Sequence, residues 1–261
     1  MELPLYQIDA FTDRLFGGNP AGVVPLRHWL PDKTLQSIAF ENNLPETAFF
    51  FADGDIFRLR WFSPTVEIDL CGHATLASAY VITHFLQPDC REMQFETLSG
   101  RLTVRRQGEI FIMDFPLRPA QPVKAPAVGR AIRAEPNELF ASVPYLAVFD
   151  RWEQVAALKP DMMAVAALDR DGVLATAPGR DGIDYVACYF APGAGIPEDP
   201  ATGSAQCVLM PYWSKRLGRN RLVGRQISQR VGDFDCELAG DRVKIGGRAV
   251  CYLRGSLFVD G

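Results

Sequence analysis

An internal repeat the size of a domain constrains this chain more than any other feature. Pro31-Asp32 recurs as Pro160-Asp161 at an offset of 129, and Phe62-Ser63-Pro64 as Phe190-Ala191-Pro192 at 128. Gly72 recurs as Gly203 at 131, and Gly100 and Gly108 as Gly232 and Gly240 at 132. A period of that length, about half the chain, is too long for a solenoid unit and fits two copies of one fold facing each other across a pseudo-two-fold axis. Ligands favour the cleft that such a pair encloses.

Each copy carries the same centrepiece. Ser63-Pro64 and an acidic loop lead to Cys71-Gly72-His73, and Ala74, Leu76, Ala77, Ala79, Tyr80, Val81, Ile82 and Phe85 then leave almost no polar face. A helix apolar on nearly all sides has to be enclosed on nearly all sides. In the second copy, Ala191-Pro192, an acidic loop with Glu198 and Asp199, and Thr202-Gly203-Ser204 precede an apolar run to Trp213. Strands are expected over 6–11, 48–52, 57–62, 93–97, 102–106 and 110–115, then over 145–149, 173–177 and 185–190, with closing strands from Gln226 to Val259. A helix capped by Asp32 runs to about Asn42, with Leu35, Ile38 and Ala39 on one face, and its counterpart starts at Asp161. The Gly17 to Gly22 turn lacks the spacing and the lysine of a phosphate loop and reads as a tight connection between strands. Strands outnumber helices, and hairpins frame each helix, so the class is α+β rather than Rossmann-like. The expected architecture is two pseudo-symmetric domains, each a barrel-like, mostly antiparallel sheet wrapped around its central helix. They cover 1–118 and 119–261, with a Pro-rich linker near 116–126.

Composition removes several functional classes. The 261 residues, 48% hydrophobic, can bury a large core, and the net charge of −4 comes without a basic run, which argues against nucleic acid and anionic membrane as partners. The start Met1-Glu2-Leu3-Pro4 has no secretory pattern and no apolar stretch reaches spanning length, so the chain reads as cytosolic. Six scattered cysteines without a C-x-x-C pair, and only three histidines, argue for reduced thiols and against a metal site.

If the two helix starts face each other, unpaired N–H groups at Gly72 and Gly203 converge on one cleft and attract a carboxylate. His73 is placed to donate to that anion or to move a proton, although a lone histidine also serves as a structural group. Asp199 either caps the second helix or holds an amine or hydroxyl of the ligand. Ser204 has no base near it in sequence and also reads as an ordinary first-turn serine. Glu46 stands out because the repeat aligns Glu46-Thr47-Ala48 with Ala175-Thr176-Ala177, so that one copy has a carboxyl where the other has a methyl. One such carboxyl can take a proton from one atom of a substrate and return it to another.

Taken in order, several motifs together resemble the phenazine-biosynthesis PhzF-like family. They are Gly18-Asn19-Pro20-Ala21-Gly22-Val23, Asn43-Leu44-Pro45-Glu46-Thr47-Ala48, Phe62-Ser63-Pro64, Cys71-Gly72-His73-Ala74-Thr75, Phe95-Glu96-Thr97 with Ser99-Gly100, and Asp199-Pro200-Ala201-Thr202-Gly203-Ser204-Ala205. The resemblance implies the diaminopimelate-epimerase-like fold, a homodimer and no cofactor. It implies Glu46 as the acid/base, with Gly72, His73, Asp199, Gly203 and Ser204 binding a small carboxylate-bearing substrate. The reaction it implies is that of trans-2,3-dihydro-3-hydroxyanthranilate isomerase, a proton moved within a ring. Epimerases of that fold use two cysteines. Cys71 matches the first, but Thr202 stands at the second, and a hydroxyl cannot replace a thiolate base at neutral pH. An epimerase using Cys71 and a binding protein without turnover are the alternatives.

Overall fold

The computed structural model describes residues 1–259. Contacts divide the chain into two units, Met1–Asp114 completed by the stretch from Gly246 onward, and Phe115–Ile245.

Unit 1 contains β1 (Glu2–Ala10), β2 (Asn19–Pro25), α1 (Asp32–Asn42), β3 (Glu46–Asp53), β4 (Ile56–Phe62), β5 (Glu67–Ile68), α2 (Gly72–Val81), β6 (Glu92–Thr97), β7 (Gly100–Gln107) and β8 (Ile110–Pro116), the last of which runs on into unit 2. β1 pairs antiparallel with β2, and β2 runs parallel to β3. β3 is antiparallel to β4, β4 parallel to β6, and β6 antiparallel to β7. Against this mostly antiparallel sheet lies α2, in contact with β1, β2 and β3. Its Leu76, Ala77, Ala79 and Val81 are fully buried. Burying a side chain such as Leu76 or Val81 contributes about 1.5–3 kcal/mol. The hydroxyls this helix buries are satisfied by its own backbone. Thr75 Oγ1 donates to Cys71 O at 2.5 Å, and Ser78 Oγ to Ala74 O at 2.8 Å.

Unit 2 contains β9 (Gln121–Pro122), α3 (Pro126–Ile132), β10 (Glu138–Ala141), β11 (Tyr145–Val148), α4 (Trp152–Ala156), α5 (Met162–Ala166), β12 (Val173–Pro178), β13 (Tyr185–Ala191), β14 (Ile196–Asp199), α6 (Gln206–Leu217), β15 (Arg221–Gln226), β16 (Gly232–Ala239) and β17 (Arg242–Gly247), whose end passes back into unit 1. The pairing order of unit 1 recurs. β10 is antiparallel to β11, β11 parallel to β12, β12 antiparallel to β13, β13 parallel to β15 and β15 antiparallel to β16. Val128, Ile132, Phe149, Val173, Ala175 and Phe190 lie in its core. Pro211 stands inside α6 and has no N–H, so the Cys207 carbonyl loses its helical partner, and the Arg118 N–H takes that bond at 2.9 Å.

Four expectations are corrected. The second domain does not run to 261: the C-terminal strand β18 (Ala249–Phe258) pairs antiparallel with β1 over Glu2 to Ala10 and so completes unit 1. The Pro-rich stretch is not a bare linker, since Pro122 pairs with Phe140 and Pro126 opens α3. Asp32 does not cap α1; Pro31 precedes the helix, and Asp32 is its first residue, 2.8 Å from Arg60 Nη1. Asp161 does cap, accepting from Ala164 N–H at 3.2 Å. Finally, α6 starts at Gln206 rather than Gly203, after a turn in which Gln206 N–H donates to Gly203 O and Cys207 N–H to Ser204 O.

Candidate active site

In unit 1, Glu46 opens β3, opposite Ala21 of β2. Asn43, in a left-handed conformation at φ 49°, ends α1, and Leu44-Pro45 bring the chain directly to that position. Cys71 is the extended residue before α2, and Gly72 and His73 are the first two residues of the helix. The N–H groups of a first helical turn have no carbonyl one turn earlier to receive them. Residues well separated along the chain therefore close into one cluster. His73 Nε2 lies 3.0 Å from Glu46 Oε2, and Cys71 Sγ lies 3.5 Å from His73 Nδ1 and 4.0 Å from Nε2. The side chains of Glu46 and His73 are 12% and 8% exposed, so both are nearly enclosed. The Glu46–His73 approach is short but not aligned as a hydrogen bond, and Glu46 Oε2 is buried without a hydrogen-bond partner. A buried carboxylate oxygen without a donor is costly to keep, and such exceptions call for an explanation.

The charges in this cluster act on one another. Burial works against a charged imidazole at His73, but the Cys71 sulfur and then the Glu46 carboxyl outweigh it and raise His73 well above its ordinary value. Cys71 is itself raised, first by burial and also by Glu46, with His73 opposing. Both shifts favour the proton-bearing forms, an imidazolium at His73 and a thiol at Cys71. A raised thiol is also a poor resting base, which weighs against an epimerase built on Cys71.

The register of the strands sharpens the contrast between the copies. Phe62 and Phe190 stand at an offset of 128, but their ladder partners, Thr47 and Val173, stand at 126. The counterpart of Glu46 is therefore Gly172 and not Ala175, a correction to the alignment of the repeat. A Cβ at Gly172 would sit 2.1 Å from Phe190 O, so no side chain fits there at all.

In unit 2, Asp199 ends β14 and does not cap α6. Its Oδ2 accepts from Thr202 Oγ1 at 2.5 Å. Gln226, fully buried, holds this turn: its Oε1 accepts from Thr202 N–H at 2.9 Å, and its Nε2 donates to Asp199 O and to Thr202 Oγ1. Ser228 Oγ adds a bond to Pro200 O at 2.5 Å. Gly203 and Ser204 follow in the turn before α6, so this unit gathers Asp199, Gly203 and Ser204 in one short segment. Gln226 was missed in the sequence because a glutamine at a strand end carries no motif, and its partners are distant along the chain.

The Glu46, Cys71 and His73 donor atoms all lie within 4.8 Å of one another, a ligand set that spacing along the chain conceals. All six cysteines are free thiols. Among the described residues no helix is long and apolar enough to cross a membrane.

The model of the phenazine biosynthesis-like protein family matches residues 8–255. An uncharacterized isomerase of Pseudomonas aeruginosa is 46% identical over 259 residues, covering 98% of this chain and 99% of its own. The crystal structure of a PhzF-family phenazine biosynthesis protein from Enterococcus faecalis superposes with a TM-score of 0.95 at 41% identity, covering 99% and 100% of the two chains. A predicted epimerase of Pseudomonas aeruginosa, 21% identical with a TM-score of 0.75 over 99% and 100% of the chains, shares the α+β fold. Matched along nearly its whole length by the family model and by a relative named as an isomerase, the chain belongs to the phenazine biosynthesis-like protein family of isomerases.

Proposed function

We propose that this isomerase moves a proton within a small carboxylate-bearing substrate, using Glu46 as a single acid/base and no cofactor. The observation that carries the reading is the buried Glu46 Oε2, 3.0 Å from His73 yet without a hydrogen-bond partner. An oxygen kept in that state is ready to accept a proton from a substrate C–H. The same carboxyl, now carrying that proton, returns it to a second atom, while His73, held cationic, offsets the negative charge left on the substrate between the two transfers. Gly172 at the equivalent place in the second copy supports one carboxyl rather than two. Substrate binding is assigned to Gly72 and His73 in unit 1 and to Asp199, Gly203 and Ser204 in unit 2. The substrate class follows the family resemblance, cyclic amino or hydroxy acids like trans-2,3-dihydro-3-hydroxyanthranilate, and a homodimer is part of the same proposal.

The test starts from a thermal-shift screen of cyclic amino and hydroxy acids. A stabilising ligand is then incubated with the enzyme in deuterium oxide and followed by NMR and mass spectrometry. Isomerisation, with deuterium gained at the receiving carbon where the shuttled proton exchanges with solvent, is expected for wild type and for Cys71→Ala, and neither for Glu46→Gln. Loss in Cys71→Ala alone would transfer the chemistry to the thiol. Ligands that bind but never isomerise or exchange would make the chain a binding protein.

A further inference from the structure

We propose that Glu46, Cys71 and His73 form a three-ligand site for Zn2+ that leaves the fourth coordination position open. Binding at this site stands on the cluster's geometry alone; only its effect on turnover rests on the function proposed above. Tetrahedral zinc with Zn–S near 2.3 Å and Zn–N or Zn–O near 2.0–2.2 Å sets its donors about 3.3–3.6 Å apart. Here Cys71 Sγ and His73 Nε2 are 4.0 Å apart, and His73 Nε2 and Glu46 Oε2 are 3.0 Å apart. Small side-chain rotations close one distance and open the other. All three donor atoms already lie within 4.8 Å of one another.

The chemistry of the set agrees with its geometry. One thiolate, one carboxylate and one neutral imidazole sum to two negative charges, which neutralise a divalent cation in a place where an uncompensated charge would be costly. The buried Glu46 oxygen that has no hydrogen-bond partner gains one strong contact. Sulfur and nitrogen donors select zinc or cobalt over magnesium or calcium, which require oxygen ligands. On binding, the Cys71 S–H and His73 Nε2–H bonds break, Zn–S and Zn–N bonds form, and both protons leave to solvent. The metal then occupies the carboxylate that would accept the substrate proton, so bound zinc suppresses the isomerase.

Co2+ serves as the probe. The purified protein is freed of metal with a chelator, dialysed and titrated with Co2+ while its absorption is recorded. A near-ultraviolet thiolate-to-cobalt band and tetrahedral visible bands saturating at one ion per chain are expected, bleached by Zn2+ and unaffected by excess Mg2+. Cys71→Ser is expected to abolish the near-ultraviolet band, and His73→Ala to weaken Co2+ affinity at least tenfold. Cys71→Ser changes one atom, so its circular dichroism checks the fold and keeps the test decisive if His73→Ala fails to fold. No band in wild type, a band that survives in Cys71→Ser, or equal competition by Mg2+ overturns the site. With a substrate in hand, one equivalent of Zn2+ is expected to stop turnover and a chelator to restore it. Turnover that persists with the ion bound would retain the metal site and remove Glu46 from the chemistry.

Discussion

Gly172→Ala tests whether the second copy of the fold excludes a side chain where the first carries its acid/base. The new Cβ would lie 2.1 Å from Phe190 O and 3.0 Å from Ala191 Cα, against an ordinary contact of 3.4 Å or more. The strand therefore has to give by more than the radius of a hydrogen atom to bring the closer of these distances up to that limit. It is held on both sides, with Gly172 O accepting Tyr145 N–H at 3.0 Å and the next residue, Val173, paired with Phe190. Losing one or two such bonds at about 1 kcal/mol each, and adding about 1–3 kcal/mol for overpacking, gives a destabilisation of about 2–5 kcal/mol. Urea unfolding followed by fluorescence and circular dichroism reads it as a fall in midpoint at unchanged slope. Gly193→Ala is the control, because its nearest neighbour would be Asp171 O at an unstrained 3.7 Å, and it is expected to stay within about 0.5 kcal/mol of wild type. If Gly172→Ala matches that control, the position tolerates a side chain, and the one-carboxyl reading loses its structural support.

Glu46→Gln keeps the size of the side chain but not its ability to take a proton, so kcat is expected to fall a hundredfold or more with little change in ligand affinity or unfolding midpoint, about 2.7 kcal/mol of barrier per hundredfold. Asp199→Asn is expected to weaken ligand affinity as well, measured by titration calorimetry, because it alters the acceptor that holds Thr202. His73, one of three histidines, is expected to titrate by NMR above the ordinary 6.5, and lower in Glu46→Gln than in wild type. The sign follows: its contribution to stability is complete below the unfolded value and is lost as pH rises through the raised folded value, which unfolding midpoints across that range would show. Gln226→Leu removes the bonds to Asp199 and Thr202 and is expected to raise KM more than it lowers kcat, whereas a purely structural loss would shift the midpoint and leave KM in place.

What the sequence discloses here follows from the range of each interaction. The enclosed helix was legible because an apolar surface all round leaves one solution, and Leu35, Ile38 and Ala39 were legible because burial of α1 follows its own period. Glu46 was visible as an asymmetry between copies, although its true counterpart, Gly172, needed the strand register, which drifts by two positions across one hairpin. The Glu46–His73–Cys71 cluster could not be seen as a ligand set, since parallel pairing of β2 with β3 and the start of α2 bring together positions far apart along the chain. Asp32 and Asp161 read alike as caps and each pairs with an arginine, Arg60 and Arg133, but only Asp161 stands one residue before its helix, where it can also accept from the Ala164 N–H. The start of α6 is delayed by a clamp from Gln226, and the return of β18 to β1 is a pairing of the first strand with the last, for which short-range pattern holds no signal.

That last pairing sets an order of events during synthesis. Unit 2 is an unbroken insert within unit 1, and Val259 N–H reaches back to Met1 O at 2.9 Å. β1 leaves the ribosome about 250 residues ahead of the strand that covers its outer edge, and at about 5–20 residues per second that is roughly 12–50 s. During that interval unit 2 can complete its own hydrogen bonding, while β1 presents an unpaired edge to any other chain nearby. Unit 1 is thus completed only after unit 2, although its first strand is made before it.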